Sequence, residues 1–196
     1  MELFREFRLK IGNLILAKKL EKAGRKVYYT DINSIKSIGI VWNASNTGEF
    51  AILSKFHQQM NDRGISLTIL GYYPEKELPN QYTALRYLTC LRKKEISISY
   101  LPMSGEADKF INTKFDILID INFEKVFPLF YISSLSAASF KVGLFDKESG
   151  ISVFDLMMEL KRPVNVEEYL TNVIHYLEMI KSGKTEQIEK NQYEKV

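Results

Sequence analysis

The sequence predicts a doubly wound α/β fold, a mostly parallel sheet of five or six strands with helices on both faces, and three observations predict it. The stretch Phe115 to Gly143, FDILIDINFEKVFPLFYISSLSAASFKVG, reads as strand, helix and strand, with polar residues where the strands end. Within it Ile117, Leu118, Ile119 and Ile121 form an apolar run closed by Asp120 and Asn122, the pattern of a parallel strand covered on both faces. Ile38-Gly39-Ile40-Val41-Trp42 repeats that pattern and stops abruptly at Asn43-Ala44-Ser45-Asn46-Thr47. The third observation is the alternation of such runs with helical spacing, which argues for right-handed crossovers and strand order 3-2-1-4-5.

Taken in order, residues 2–22 read as a helix whose apolar stripe is Leu3, Phe4, Phe7, Ile11, Leu14 and Ile15. A turn at Thr30 to Ser34 leads into the first strand at 38–42. A helix at 48–63 turns Phe50, Leu53, Phe56 and Met60 inward, and Gly64 caps it. Residues 65–71 form the second strand. Asn80 to Lys94 reads as a helix striped by Tyr82, Leu85, Leu88 and Leu91, followed by a short third strand at 96–100. A short helix at 104–112 precedes strands four and five at 116–121 and 140–144, and Phe154 to Leu160 offers a sixth strand at an edge. Asn165 caps a last helix with Glu167 and Glu168 in its first turn and Val166, Leu170, Val173, Leu177 and Ile180 on one face. The chain therefore divides into a basic amphipathic helix (1–26), a Rossmann-like α/β domain (38–181) and a disordered polar tail (182–196).

Composition bounds the function. With 196 residues, 45% hydrophobic and 26% charged, the chain has enough material for one sizeable core. Its single cysteine, Cys90, excludes an internal disulfide framework and suits a reducing compartment, and Leu88 and Leu91 beside it point to a buried thiol. The longest near-apolar stretch at the start, Ile11 to Ala17, is too short to span a bilayer and no cleavage site follows it, so the expected location is the cytoplasm, with no transmembrane segment. The net charge of +3 is uneven: residues 1–26 hold eight Lys or Arg against three Glu, leaving +5 there and −2 elsewhere. The first helix either packs on its own domain with a solvated basic face or docks on an acidic surface, whether membrane, nucleic acid or protein partner. No specific nucleic-acid motif accompanies it.

The winding reverses between strands one and four, so Asn43, Ser45, Asn46, Thr47, Gly48 and Glu49 should face Asp120 and Asn122 across a crevice at the carboxyl ends of the strands. Asn46 and Glu49 match a capping box. Alternatively the amides at this helix start, with the Ser45 and Thr47 hydroxyls, bind an anionic small molecule. One glycine, Gly48, matches neither a dinucleotide fingerprint nor a P-loop, so no cofactor is implied. Glu49 and Asp120 are the candidate general bases should the protein be an enzyme. His57 and His175 lie on separate helices without ligand spacing, and no metal site is expected.

The segments SNTGEFAILSKF, GISLTILGY and FDILIDINFEKVFPLFYISSLSAASFKVGL resemble the N-terminal domain of heptosyltransferase-type glycosyltransferases over residues 38–145. That resemblance sets Gly48-Glu49 at the family's Gly-Asp pair, with Glu49 replacing the aspartate proposed as base, and Ser136-Ala137-Ala138 with Val142-Gly143 at its later segment. The second half of those enzymes, which binds the sugar nucleotide, has no counterpart within the stretch. As a whole the chain is similar to small bacterial proteins grouped as a domain of unknown function. Two functions remain open: a non-catalytic interaction or ligand-binding module, or a glycosyltransferase-like enzyme or subunit acting on a phosphorylated or glycosylated small molecule.

Overall fold

The computed structural model describes residues 2–83, 85–145, 153–161 and 163–180; the tail expected at 182–196 lies outside them. Six parallel strands run β1 (Ser37–Asn43), β2 (Ser66–Tyr73), β3 (Leu88–Arg92), β4 (Ile117–Ile121), β5 (Phe140–Leu144) and β6 (Leu156–Met158), in spatial order β3-β2-β1-β4-β5-β6. The expected order 3-2-1-4-5 therefore holds, and Phe154 to Leu160 contributes the added edge strand. The helices are α1 (Glu2–Leu20), α2 (Phe50–Asp62), α3 (Asn80–Thr83), α4 (Gly105–Asn112), α5 (Phe127–Leu135) and α6 (Val166–Met179).

The central strands β1 and β4 are apolar at almost every position that meets a helix layer, Asp120 being the exception, because both faces are covered. On one face Ile38, Ile40, Trp42, Ile117, Ile119 and Ile121 pack under Leu53, Phe56 and Met60 of α2 and Tyr169, Leu170 and Val173 of α6. On the other, Val41, Leu70, Leu91 and Leu118 pack under Ala107 and Phe110 of α4 and Leu129 and Ile132 of α5. Gly64 adopts φ +73° and lets Ile65 N–H reach back to Met60 O and its own N–H to Asn61 O, the paired bonds that end a helix on a left-handed residue. Asn165 caps α6 by accepting from Glu168 N–H, as its position implies.

One element differs from the sequence reading. Residues 80–94 do not form a helix; α3 stops at Thr83, and Leu88–Arg92 is the third strand. Leu88 and Leu91, three apart, suit a helical stripe equally well, but in the strand they turn to opposite faces of the sheet, Leu88 toward α2 and Leu91 toward α4. Pairing with β2, Ile69 opposite Leu88 and Leu70 opposite Thr89, outweighs local spacing. Residues 96–100 are consequently loop: Ile96 bridges antiparallel to Pro102, and Tyr100 stands at φ 62°.

Of the two arrangements left open for α1, the stripe packed on its own domain is not the one found. Most of the stripe faces solvent: Leu3, Phe4, Phe7 and Leu14 are 81, 75, 63 and 64% exposed, while Ile11 and Ile15 are half-buried. The packed side carries Gly12 and Leu16, about 160° round the helix from the four exposed side chains at 3.6 residues per turn. The reason is proximity. A Cβ on Gly12 would lie 2.5 Å from the Ser99 carbonyl oxygen and 2.8 Å from the Phe127 ring, so the backbone of α1 lies too near α5 for a larger side chain there. Arg8 holds the neighbouring loop by donating to Ile98 O and resting 4.6 Å from the centre of the Tyr100 ring. Beyond the helix, Arg25 forms a bidentate pair with Asp155 at 2.7 Å and donates to the carbonyls of Ala138 and Ser139, which ties the connector to the β5–β6 side of the sheet.

Candidate functional site

The reversal of winding falls between β1 and β4, as expected, with Val41 opposite Asp120 and Trp42 opposite Ile121. Register partners in a parallel pair share a face, so Asp120 points toward α5 with Val41, whereas Trp42 points toward α2. Glu49 follows Trp42: its carboxylate accepts from Trp42 Nε1 at 2.8 Å and from the Asn46 side-chain amide at 3.4 Å. The two candidate bases thus serve opposite layers of the fold. The capping box is not formed, since neither Asn46 nor Glu49 makes a side-chain cap bond, and the Glu49 carboxylate is instead taken by the indole.

Asp120 is buried. Its carboxylate accepts from Asn122 N–H at 2.6 Å and from the Ser133 hydroxyl of α5. Burial pushes its pKa up to about 6, and the hydrogen bonds from Ser133 and Asn122 pull the other way without cancelling that rise. Asn122 in turn caps the following turn, accepting from Val126 N–H at 3.0 Å and donating to Val126 O at 3.3 Å, a turn in which Lys125 adopts φ 56°. Asn43 links the two strand ends: its Nδ2 donates to Glu124 at 2.6 Å and its Oδ1 accepts from Ser45 N–H at 3.2 Å. Ser45, Thr47 and Gly48 are exposed at the rim. Burial raises the pKa of Glu49, hydrogen bonds from Trp42 and Asn46 lower it, and the nearby Glu124 carboxylate raises it further.

Trp42, fully buried, fills the space behind this rim and meets Tyr82 edge-on at 5.3 Å, while Phe123 meets Tyr169 edge-on at 5.1 Å. Asn43, Asp120 and Asn122 are brought together at the switch point, but each is engaged by groups of the same chain.

Sequence reasoning passed over three residues at or near this centre. Ser133, on α5, is the donor that holds Asp120. The Tyr169 hydroxyl is buried without a hydrogen-bond partner among the described residues, and burial, helped by Asp120, holds its pKa well above the usual value. Lys141 is almost fully buried; Nζ donates to Ser134 O at 2.8 Å, and burial with Arg25 close by lowers its pKa to about 7 against the opposing pull of Asp155. The signal for Lys141 was a lysine inside an otherwise apolar strand, Phe140-Lys141-Val142. The remaining titratable candidates are structural in their surroundings. Burial pushes the Cys90 thiol up to about 12, which leaves it unreactive. His57 stacks on Tyr87 with ring centres 3.7 Å apart. His175 lines a groove of about 430 Å³ between α2 and α6, bridged by the ion pairs Lys55–Glu167 and Arg63–Glu178. Among the described residues no group of three or more His, Cys, Asp or Glu side chains can hold a metal ion, and no helix is long and apolar enough to cross a membrane.

The fold and its switch point define a doubly wound parallel α/β protein with an added N-terminal helix. The chain belongs to a family of unknown function, DUF6913, whose model matches residues 8–180. No curated protein matches it.

Proposed function

We propose that this protein is a non-catalytic interaction module whose working surface is the free face of α1, and that the crevice at the switch point is scaffolding. The observation that carries the reading is the exposure of Leu3, Phe4, Phe7 and Leu14, four large apolar side chains on one helix amid Lys10 and Lys18. A contiguous apolar surface held in water is unfavourable by about 25 cal/mol per Å², and a rim of polar groups around it is the mark of a docking site. The crevice supports the same reading from the other side. Its polar groups are occupied by Trp42, Ser133, Glu124 and backbone amides, and the carboxylates of Glu49 and Glu124 near its mouth oppose the approach of a phosphorylated substrate.

The test is a photo-crosslinking amino acid placed at Phe7 in living cells, with the exposed Asn61 on α2 as control. The expected result is an adduct, with protein or lipid, that forms at position 7 and not at 61. Failure to form any adduct at position 7, with the protein folded and abundant, overturns the reading.

A further inference from the structure

We infer that the surface engaged by α1 is a bilayer carrying anionic lipids, an inference that rests on the docking reading above and names its partner. Three observations converge on it. First, the free face stands out from the body of the protein as a ridge. Every side chain described from Leu3 to Phe7 is exposed, so the first turns of α1 overhang the body of the protein, and Ile98, 76% exposed, projects from the loop that Arg8 holds beside the helix. A ridge of this kind can lie along the headgroup boundary with Leu3, Phe4, Phe7 and Leu14 sunk into the acyl region, the arrangement of an interfacial amphipathic helix.

Second, most of the cations in residues 1–26 are left out of the salt bridges formed among the described residues. Arg8 rests on Tyr100, Lys19 lies 5.4 Å from the centre of the Tyr131 ring, and Arg25 pairs with Asp155. Arg5, Lys10, Lys18, Lys22 and Lys26 are exposed and take part in none of the salt bridges found among the described residues. Glu6 and Glu21 are the exposed acidic side chains described in the same segment, so the free surface is net positive.

Third, residue type separates a lipid from a protein partner. Four of those five free cations are lysines. Lysine is depleted in protein–protein interfaces, where Arg, Tyr and Trp dominate, whereas its flexible stem lets the ammonium reach anionic headgroups while apolar neighbours insert. The connector held by Arg25–Asp155 fixes the cationic turn after α1 against the sheet edge, so the domain would ride on the surface in one orientation.

The experiment is co-sedimentation of the full chain with vesicles of phosphatidylcholine and phosphatidylglycerol in equal parts, compared with phosphatidylcholine alone. Strong binding to the anionic vesicles is expected, weak binding to the neutral ones, and weakening as salt rises. Lys10→Gln with Lys18→Gln should reduce partitioning on the order of 25-fold, at about fivefold per charge. Phe4→Ser with Phe7→Ser should reduce it by more than about tenfold. Both variants change exposed positions, so an unchanged melting temperature verifies that folding is intact. The inference is overturned if the wild-type chain ignores the anionic vesicles, binds both compositions equally, or binds just as well without Phe4 and Phe7. A cross-link from position 7 to protein alone would overturn the lipid assignment while sustaining the docking reading.

Discussion

Replacing Asp120 by asparagine tests whether burial beneath α5 holds this carboxyl towards its neutral form. Asp120 is buried, and its pKa stands at about 6 against an ordinary 3.8. A carboxyl raised in this way binds its proton more tightly in the folded state. Its contribution to stability is fully present below about pH 3.8 and is lost as pH rises through about 6, and a shift of about two units corresponds to roughly 3 kcal/mol. An asparagine keeps the shape without the charge. Its Oδ1 can accept from Asn122 N–H, and its Nδ2 can donate to the Ser133 oxygen, with the Ser133 hydroxyl turning its own proton to a carbonyl of the preceding turn. Relative to wild type, Asp120→Asn should therefore gain on the order of 2–3 kcal/mol between pH 4 and pH 7.5 and end as stable or more stable at the higher pH. Urea unfolding followed by the fluorescence of Trp42, the sole tryptophan and fully buried, measures this directly. A difference between the two proteins that stays constant from pH 4 to pH 7.5 would refute the argument, because it would mean that Asp120 ionises as freely in the folded protein as in the unfolded chain.

Two further outcomes follow from the packing. Gly12→Val should destabilise the protein by about 1–3 kcal/mol in the same urea assay, even though valine is ordinarily favoured over glycine within a helix by about 0.5 kcal/mol, because its Cβ would meet the Ser99 carbonyl and the Phe127 ring. A neutral or stabilising result would mean that α1 does not rest on α5 as described. Lys141 has a folded pKa lowered to about 7, so the wild-type protein should gain stability as pH rises from 7 towards 10; Lys141→Met should flatten that rise, and an unchanged profile would show that Nζ is solvated.

The sequence alone determined the two central strands, the order of the sheet and the position of its switch point. Ile38 to Trp42 and Ile117 to Ile119 are free of polar side chains at consecutive positions, a pattern that is stable only when both faces of a strand are covered, and the polar residues that close each run mark the carboxyl ends. Two caps were equally legible, since Gly64 and Asn165 satisfy backbone groups within a few residues of themselves. Tertiary structure decided what depends on distant neighbours. Leu88 to Arg92 became a strand because β2 offered an edge to pair with, a fact absent from the local spacing of its leucines. Glu49 was legible as a polar residue at the start of a helix, but not as the partner of the Trp42 indole, and Asp120 was not legible as the partner of Ser133, thirteen residues away. Spacing showed that α1 has an apolar stripe; only the contact of Gly12 with Ser99 and Phe127 decided that this stripe faces outward. The physical reason is the same in each case. Periodicity reports which residues share a face, while the face that is buried is chosen by which of them lets two backbones approach most closely.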